Sequence, residues 1–183
     1  LYRTPGEVAI QGSRGCTAKC TFCFETNYWR NWRQKSSDTL YREMKTMHTK
    51  YGAKSFHYVD SLINGDVRLL SDLCDKVIAD PEIKDFKFFG YARVHRLQTR
   101  ELLAKYAKAG ISYMSYGIES GSNRVLKNMK KGTNRKISSQ NLRDSALEGI
   151  YAHANWIVGY PTETILDHLQ SLIFAYNNRF YFT

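Results

Sequence analysis

Three cysteines stand within eight residues, in the run Gly15-Cys16-Thr17-Ala18-Lys19-Cys20-Thr21-Phe22-Cys23. The Cys-x3-Cys-x2-Cys spacing lets each thiolate take one corner iron of a cubane cluster and leaves the fourth iron without a protein ligand. An iron left open in this way suits a small chelating ligand. A zinc ion held by the three thiolates and a distant histidine is the other reading of the same residues. Structural zinc sites usually join two separated Cys-x2-Cys knuckles, and this sequence has no second knuckle. The fourth cysteine, Cys74, lies in a helix-like stretch and reads as core.

Such a loop needs elements that hold it, and the chain supplies an alternation of strand-like and helix-like stretches. Residues 7–11, 54–59, 85–90, 112–118, 151–158 and 180–182 read as strands. Between them, apolar residues recur at helical spacing. One face carries Leu40, Met44, Met47 and Tyr51, with Ser36 or Ser37 as cap. A second carries Leu69, Leu70, Leu73, Val77 and Ile78. Thr99 opens a third helix with Leu102, Leu103 and Tyr106, and Gly110 ends it. Val125, Leu126 and Met129 lie on a short helix closed by Gly132, and residues 135–148 form another, stopped by Gly149. Ile165, Leu169, Leu172, Ile173 and Tyr176 make the last amphipathic face.

Repeated βα units predict an α/β fold with a parallel sheet. Six strands in this length fit a partial (β/α)6 TIM-like barrel truncated at the sixth strand, and a doubly wound sheet is the alternative. In either, ligands belong at the C-terminal strand ends. The cysteine run, Asp60, Arg93, Glu119 and Gly159 all fall there, which predicts one site on one edge.

Composition bounds the rest. The chain has 183 residues, 43% of them hydrophobic and 24% charged, ordinary for one globular domain. No apolar run approaches a membrane span, and a clustered cysteine set in a Cys-poor chain points to a reducing cytoplasm. The opening Leu1-Tyr2-Arg3-Thr4-Pro5 has neither a starting Met nor an apolar signal core. The whole of 1–183 therefore reads as one core domain excised from a longer chain, with further domains expected on both sides. The net charge of +10 is spread along the chain without a stripe, so a nucleic-acid partner is not expected. The stretch Tyr28-Trp29-Arg30-Asn31-Trp32-Arg33 interleaves aromatic and basic residues and reads as a loop docking against a neighbouring domain.

With its aromatic before the last cysteine and its βα repeats, the chain resembles the radical S-adenosylmethionine superfamily over nearly its whole length. In that family the open iron binds the amino and carboxylate groups of S-adenosylmethionine. Reduction of the cluster cleaves the S–C5′ bond, and the 5′-deoxyadenosyl radical takes a hydrogen atom from the substrate. The resemblance implies a 4Fe-4S cluster on Cys16, Cys20 and Cys23, and a reductant such as flavodoxin or ferredoxin. Phe22 matches the aromatic beside the adenine. Asp60 and Ser61 stand where the family commonly has a Gly-Gly-Glu that holds the methionine amine, and either can accept a hydrogen bond. Arg93 could grip the carboxylate bidentately, or form an ordinary surface salt bridge. Glu119, in Gly117-Ile118-Glu119-Ser120-Gly121-Ser122, matches the ribose-binding position, with Ser120 as a second candidate. Asn155-Trp156-Ile157-Val158-Gly159 is similar to the Gly-x-Ile-x-Gly stretch against adenine, with Asn155 in place of the first glycine, so Ile157 and Gly159 are assigned there.

Together with Lys130-Lys131-Gly132 and Val158-Gly159-Tyr160-Pro161, these segments are similar to cobalamin-binding radical enzymes, many of them methyltransferases. That implies cobalamin as a further cofactor and a cobalamin-binding domain in the same chain. Methylthiotransferases acting on transfer RNA share much of this wording. An iron–sulfur electron-transfer module is the remaining alternative, but it has no need of ribose and adenine contacts.

Overall fold

The computed structural model describes residues 6–83 and 85–183, so the opening pentapeptide lies outside it. Within these bounds the chain runs β1 (Glu7–Ile10), β2 (Ser13–Arg14), α1 (Glu25–Trp29), β3 (Arg33–Gln34), α2 (Ser37–Tyr51), β4 (Ser55–Tyr58) and α3 (Val67–Ala79). It continues through β5 (Lys87–Ala92), α4 (Arg100–Lys108), β6 (Ile111–Glu119), α5 (Asn123–Asn128), α6 (Arg135–Leu147), β7 (Tyr151–Trp156) and α7 (Ile165–Asn178). The helices start where short polar side chains can accept from their free N–H groups. Ser36 accepts from Thr39 N, Asp66 from Arg68 N and Leu69 N, and Thr99 from Leu102 N.

Five strands form one parallel sheet in the order β1-β4-β5-β6-β7, and β2 and β3 make a small antiparallel pair beside it. The spatial order follows the chain order without reversal. A doubly wound sheet reverses at a switch point and carries helices on both faces. An unreversed order with right-handed crossovers puts every helix on one side, as in a partial barrel.

Strand side chains alternate between two faces. Phe56, Tyr58, Phe88, Met114, Tyr116 and Ile118 are buried against the helices. On the other face His57 stacks on Phe89, Phe89 meets Tyr113 edge-on, and Tyr113 stacks on Tyr151. Gly110 is required between α4 and β6: its φ is +102°, and a Cβ there would sit 2.0 Å from Phe86 O.

The structure departs from the sequence reading in four places. The third strand of the sheet lies two residues later than expected, at Lys87–Ala92, and β7 ends at Trp156 rather than at residue 158. The segment 180–182 is not a strand. Pairing with β7 begins only at Thr183, whose N–H donates to Ala152 O and whose carbonyl accepts from Ala154 N. On α7 the expected apolar face points outward: Ile165, Leu169, Leu172, Ile173 and Tyr176 are exposed, and Asp167, Ser171, Phe174 and Asn178 are buried. The reason is a close approach. A Cβ on Gly121 would lie 2.6 Å from Ser171 Cα and 2.7 Å from Phe174 Cβ, so the face carrying Ser171 and Phe174 is the one that fits against the end of β6. Hydrogen bonds lock that orientation, from Ser122 Oγ to Asp167 (2.6 Å) and from Gly121 N to Ser171 (2.9 Å).

The aromatic and basic stretch of residues 28–33 docks partly on its own chain. Arg14 lies over the Trp29 ring, and Trp32 packs on Gly65.

Candidate active site

The cysteine loop leaves β1 and is held at its base by Asp60, just past β4. Asp60 Oδ1 accepts from Gly12 N and Oδ2 from Ser13 Oγ, both at 2.8 Å. Burial pushes the Asp60 carboxyl up, and these hydrogen bonds oppose the rise. At its far end the loop is tied to the end of α5, where Thr21 N donates to Met129 O at 3.0 Å. Cys16 and Cys20 are half-buried and Cys23 is exposed, all as free thiols. Burial pushes the Cys16 and Cys20 thiols up; at Cys20 the nearby Lys131 and Arg93 charges oppose it.

Among the described residues, no three His, Cys, Asp or Glu side chains converge on one metal-ion position. Thiolates bound to separate irons of a cubane need not converge on one point, whereas ligands of a single zinc ion must. The donor chemistry, three free thiols on a solvent-accessible loop, fits a cluster with one open iron.

The thiols open into a cavity of about 270 Å³ whose walls include Phe22, Ser61, Arg93 and Glu119. Glu119 reaches it through strained backbone. The register slips between Gly117 and Glu119 where β6 pairs with β7, and Glu119 has φ +66°. The bulge aims its carboxylate inward, where Oε1 accepts from Lys131 Nζ at 2.7 Å. Both side chains are about nine-tenths buried, at 11% and 9% exposed. Gly117 makes room for them: a Cβ there would meet Glu119 Oε1 at 2.4 Å and Lys131 Nζ at 2.7 Å. The same ammonium lies 5.8 Å from the centre of the Phe22 ring.

Arg93 is held by its backbone. Its N–H donates to Asn64 Oδ1 at 2.9 Å, and its carbonyl accepts from Asn64 Nδ2 at 2.7 Å. Asn64 also donates to Gln98, which donates to Tyr116. The guanidinium makes no ion pair with any described residue. The salt bridge that sequence alone left open is therefore not formed among them.

Four sequence-assigned residues do not line this cavity. Both oxygens of Asp60 are engaged by Gly12 and Ser13, which makes it a strut behind the loop. Ser120 is buried, accepts from Ser122 N at 3.1 Å and faces Ser171. Ile157 donates its N–H to Glu119 O, joining β7 to β6. Gly159 lies exposed in a turn with φ +79°, its N–H on Glu163 Oε2. Its glycine serves the turn, since a Cβ there would meet nothing within 4 Å. His95, also near this edge, accepts from Leu97 N through Nδ1 and stays outside the cavity.

Among the lining residues not assigned from sequence are two charged side chains and an amide. Lys131 was noted only as part of a motif, Asn155 only as a departure from a glycine, and Glu25 not at all. Asn155 Nδ2 donates to Ser115 Oγ at 2.8 Å on the cavity wall. Glu25, the first residue of α1, accepts from Ser61 Oγ. Its signal was a carboxylate two residues after the last cysteine.

A model of the radical SAM superfamily matches residues 10–175. The chain belongs to the radical SAM superfamily. S-adenosylmethionine cleavage is the family reaction. Among curated relatives, the chain is 31% identical over 173 residues to cytidylyl-2-hydroxyethylphosphonate methyltransferase of Streptomyces wedmorensis, covering 87% of this chain and 31% of that one. It is 24% identical over 166 residues to anaerobic magnesium-protoporphyrin IX monomethyl ester cyclase of a Synechocystis species, covering 90% and 33%. The chain thus spans about a third of the length of these relatives. Among solved structures, the radical S-adenosylmethionine methyltransferase TsrM from Kitasatospora setae, with cobalamin and a [4Fe-4S] cluster bound, shares its fold. The TM-score is 0.83 at 19% identity, covering 93% of this chain and 32% of that one. Among the described residues, no helix of this radical SAM core is long and apolar enough to cross a membrane.

Proposed function

We propose that this radical SAM core binds a [4Fe-4S] cluster through Cys16, Cys20 and Cys23 and S-adenosylmethionine in the adjoining cavity, within a cobalamin-dependent methyltransferase or carbon-skeleton enzyme. The observation that carries this reading is the shared cavity: three thiols, an unpaired guanidinium and a buried strand-end carboxylate open into one space. When bound, the cluster supplies the electron that cleaves the cofactor's S–C5′ bond. The chain's own residues position the reactants. Arg93 offers its fork to the methionine carboxylate. Glu119 Oε1 is taken by Lys131, and Oε2 accepts no bond from the described residues, so it is free for a ribose hydroxyl. Phe22 offers a ring face beside the adenine. An electron-carrying module would need neither this cavity nor its charges.

The cobalamin part of the proposal is supported by relatives named as methyltransferases and by the cobalamin-bound fold neighbour. It implies a cobalamin-binding domain in the longer chain and a flavodoxin- or ferredoxin-type reductant in the cytoplasm. The test is anaerobic reconstitution of the full-length protein. About four irons per chain are expected, as for one cubane, with release of 5′-deoxyadenosine or S-adenosylhomocysteine under reductant and a corrinoid retained through gel filtration. Replacing the three cysteines with Ala should remove the iron, and Cys74→Ala should not. Loss of the cluster in the Cys74 variant would overturn the ligand assignment, and a loaded protein that leaves S-adenosylmethionine intact would overturn the enzymatic reading.

A further inference from the structure

Around the cysteine loop the chain collects positive charge without neutralising it. Residues 11–37 carry five cationic side chains and one acidic one. Glu25 is half-buried and bonded by Ser61, and Lys35 is paired with Glu43. The exposed Arg14, Lys19, Arg30 and Arg33 make no ion pair with any described residue. Two arrangements here oppose stability. Arg14 and Arg33 stand directly opposite each other in the β2–β3 pair, where like charges destabilise. Arg30 has φ +57°, a left-handed conformation that glycine adopts freely and a residue with a Cβ does not. Aromatic rings join the cations into one surface. The Arg14 guanidinium lies 5.6 Å from the centre of the Trp29 ring, and Tyr28 meets Trp29 edge-on. Phe24 and Tyr28 are exposed, at 70% and 69%. This surface adjoins the thiols. Phe24 follows the exposed Cys23, and Gly15, next to Cys16, packs so closely on residues 29–32 that a Cβ there would lie 3.0 Å from Asn31 O.

We propose that Arg14, Arg30 and Arg33, together with the exposed rings of Phe24 and Tyr28, form the docking surface for an acidic one-electron carrier protein of the flavodoxin type. The inference rests on the cluster and the reductant proposed above, and it gives that reductant its place. Electron transfer weakens steeply with distance, so a donor must seat beside the cysteine loop. The surface found there lacks negative charge, and the carboxylates of an acidic carrier supply it. The exposed rings supply apolar contact of the kind that anchors protein interfaces. Cations held apart from any acid of their own chain also attract such a carrier from a distance, and salt weakens the attraction. In the step itself one electron leaves the reduced flavin and enters the cluster, and no atom passes between the two proteins.

The experiment measures S-adenosylmethionine consumption by the full-length, iron-loaded protein with two reductants. One is a flavodoxin held as its hydroquinone, and the other is dithionite with methyl viologen, a small cationic mediator. Arg14→Glu with Arg33→Glu should raise the KM for flavodoxin about ten-fold or more, the scale on which electrostatic steering acts. The same variant should lose most of the salt dependence of the flavodoxin reaction. The rate at saturating flavodoxin and the rate with the small mediator should not fall. Lys136→Glu with Arg143→Glu makes the same change in net charge on the exposed side of α6 and should leave both assays as they were. If the Arg14 and Arg33 charge reversal costs iron, Arg14→Gln with Arg33→Gln decides by the same selectivity at a smaller loss. Equal losses with both reductants, no loss with flavodoxin, or an equal loss in the α6 variant would overturn the assignment. Unaltered flavodoxin kinetics with lost binding of transfer RNA would overturn it in favour of a nucleic-acid surface. An unaltered, loaded protein that consumes no S-adenosylmethionine with the small mediator would overturn the underlying reading of the site instead.

Discussion

On one side of the cavity, β6 and the turn after α5 place Glu119 and Lys131 in a buried contact, with Tyr116 below them bonded to Gln98 and Ser145. On the other side, the cysteine loop runs into α1, a five-residue helix with no buried residue and no side-chain cap. The first wall is held by the fold. Its strained Glu119 backbone persists because β7, Gly117 and Lys131 over-determine it. The second wall has few contacts of its own: Asp60 at the base, Thr21 at the tip, and Ser61 against Glu25. On the proposed reading, a bound cluster would add rigidity to that side, as in metal sites where binding supplies the ordering energy. On the proposed reading, this core combines a pre-formed wall at Glu119 and Lys131 with one that a bound cluster would organise.

Substitutions should separate the two walls in order of effect. Lys131→Met leaves Glu119 buried without its partner, and breaking such a pair costs about 3–5 kcal/mol. Urea unfolding of the metal-free protein should show this as a lower midpoint. A loss under about 1 kcal/mol would mean that water reaches the pair and that this wall is less dry than its burial implies. Asp60→Ala removes the acceptor of Gly12 N and Ser13 Oγ at the junction of the walls. Each buried donor left unpaired costs roughly 1–3 kcal/mol, so an intermediate shift is expected, together with slower iron uptake. Replacing Cys16, Cys20 and Cys23 together with Ala should move the metal-free midpoint by less than about 0.5 kcal/mol while abolishing iron binding. A large shift in that variant would show that the cysteine loop is organised before the cluster arrives.

Local signals were legible where local physics decides the outcome. The Cys-x3-Cys-x2-Cys spacing, the serine, threonine and aspartate helix caps, and the apolar face of α3 all depend on residues within one or two turns of each other. The convergence of strand ends followed from the βα alternation itself, because parallel strands joined by helices must present their C-terminal ends on one edge. The α7 face was misread because periodicity reports which residues share a side, not which side meets the core. The approach of Gly121 to Ser171 reversed that choice, and the two residues are fifty positions apart.

The sequence by itself determined the parallel α/β class, the edge on which the cavity lies and the candidate ligand set for a cluster, since each is written in spacing and short-range pattern. Only the tertiary structure decided which polar side chains enter the cavity. Glu119 and Lys131 meet because a bulge turns one strand residue inward. Asp60 is drawn away by Gly12 N and Ser13 Oγ after β1, and Ser61 beside it turns to Glu25 from a helix thirty-six positions earlier. Such choices are made by which donor lies within about 3 Å of which acceptor, a distance that chain spacing does not encode.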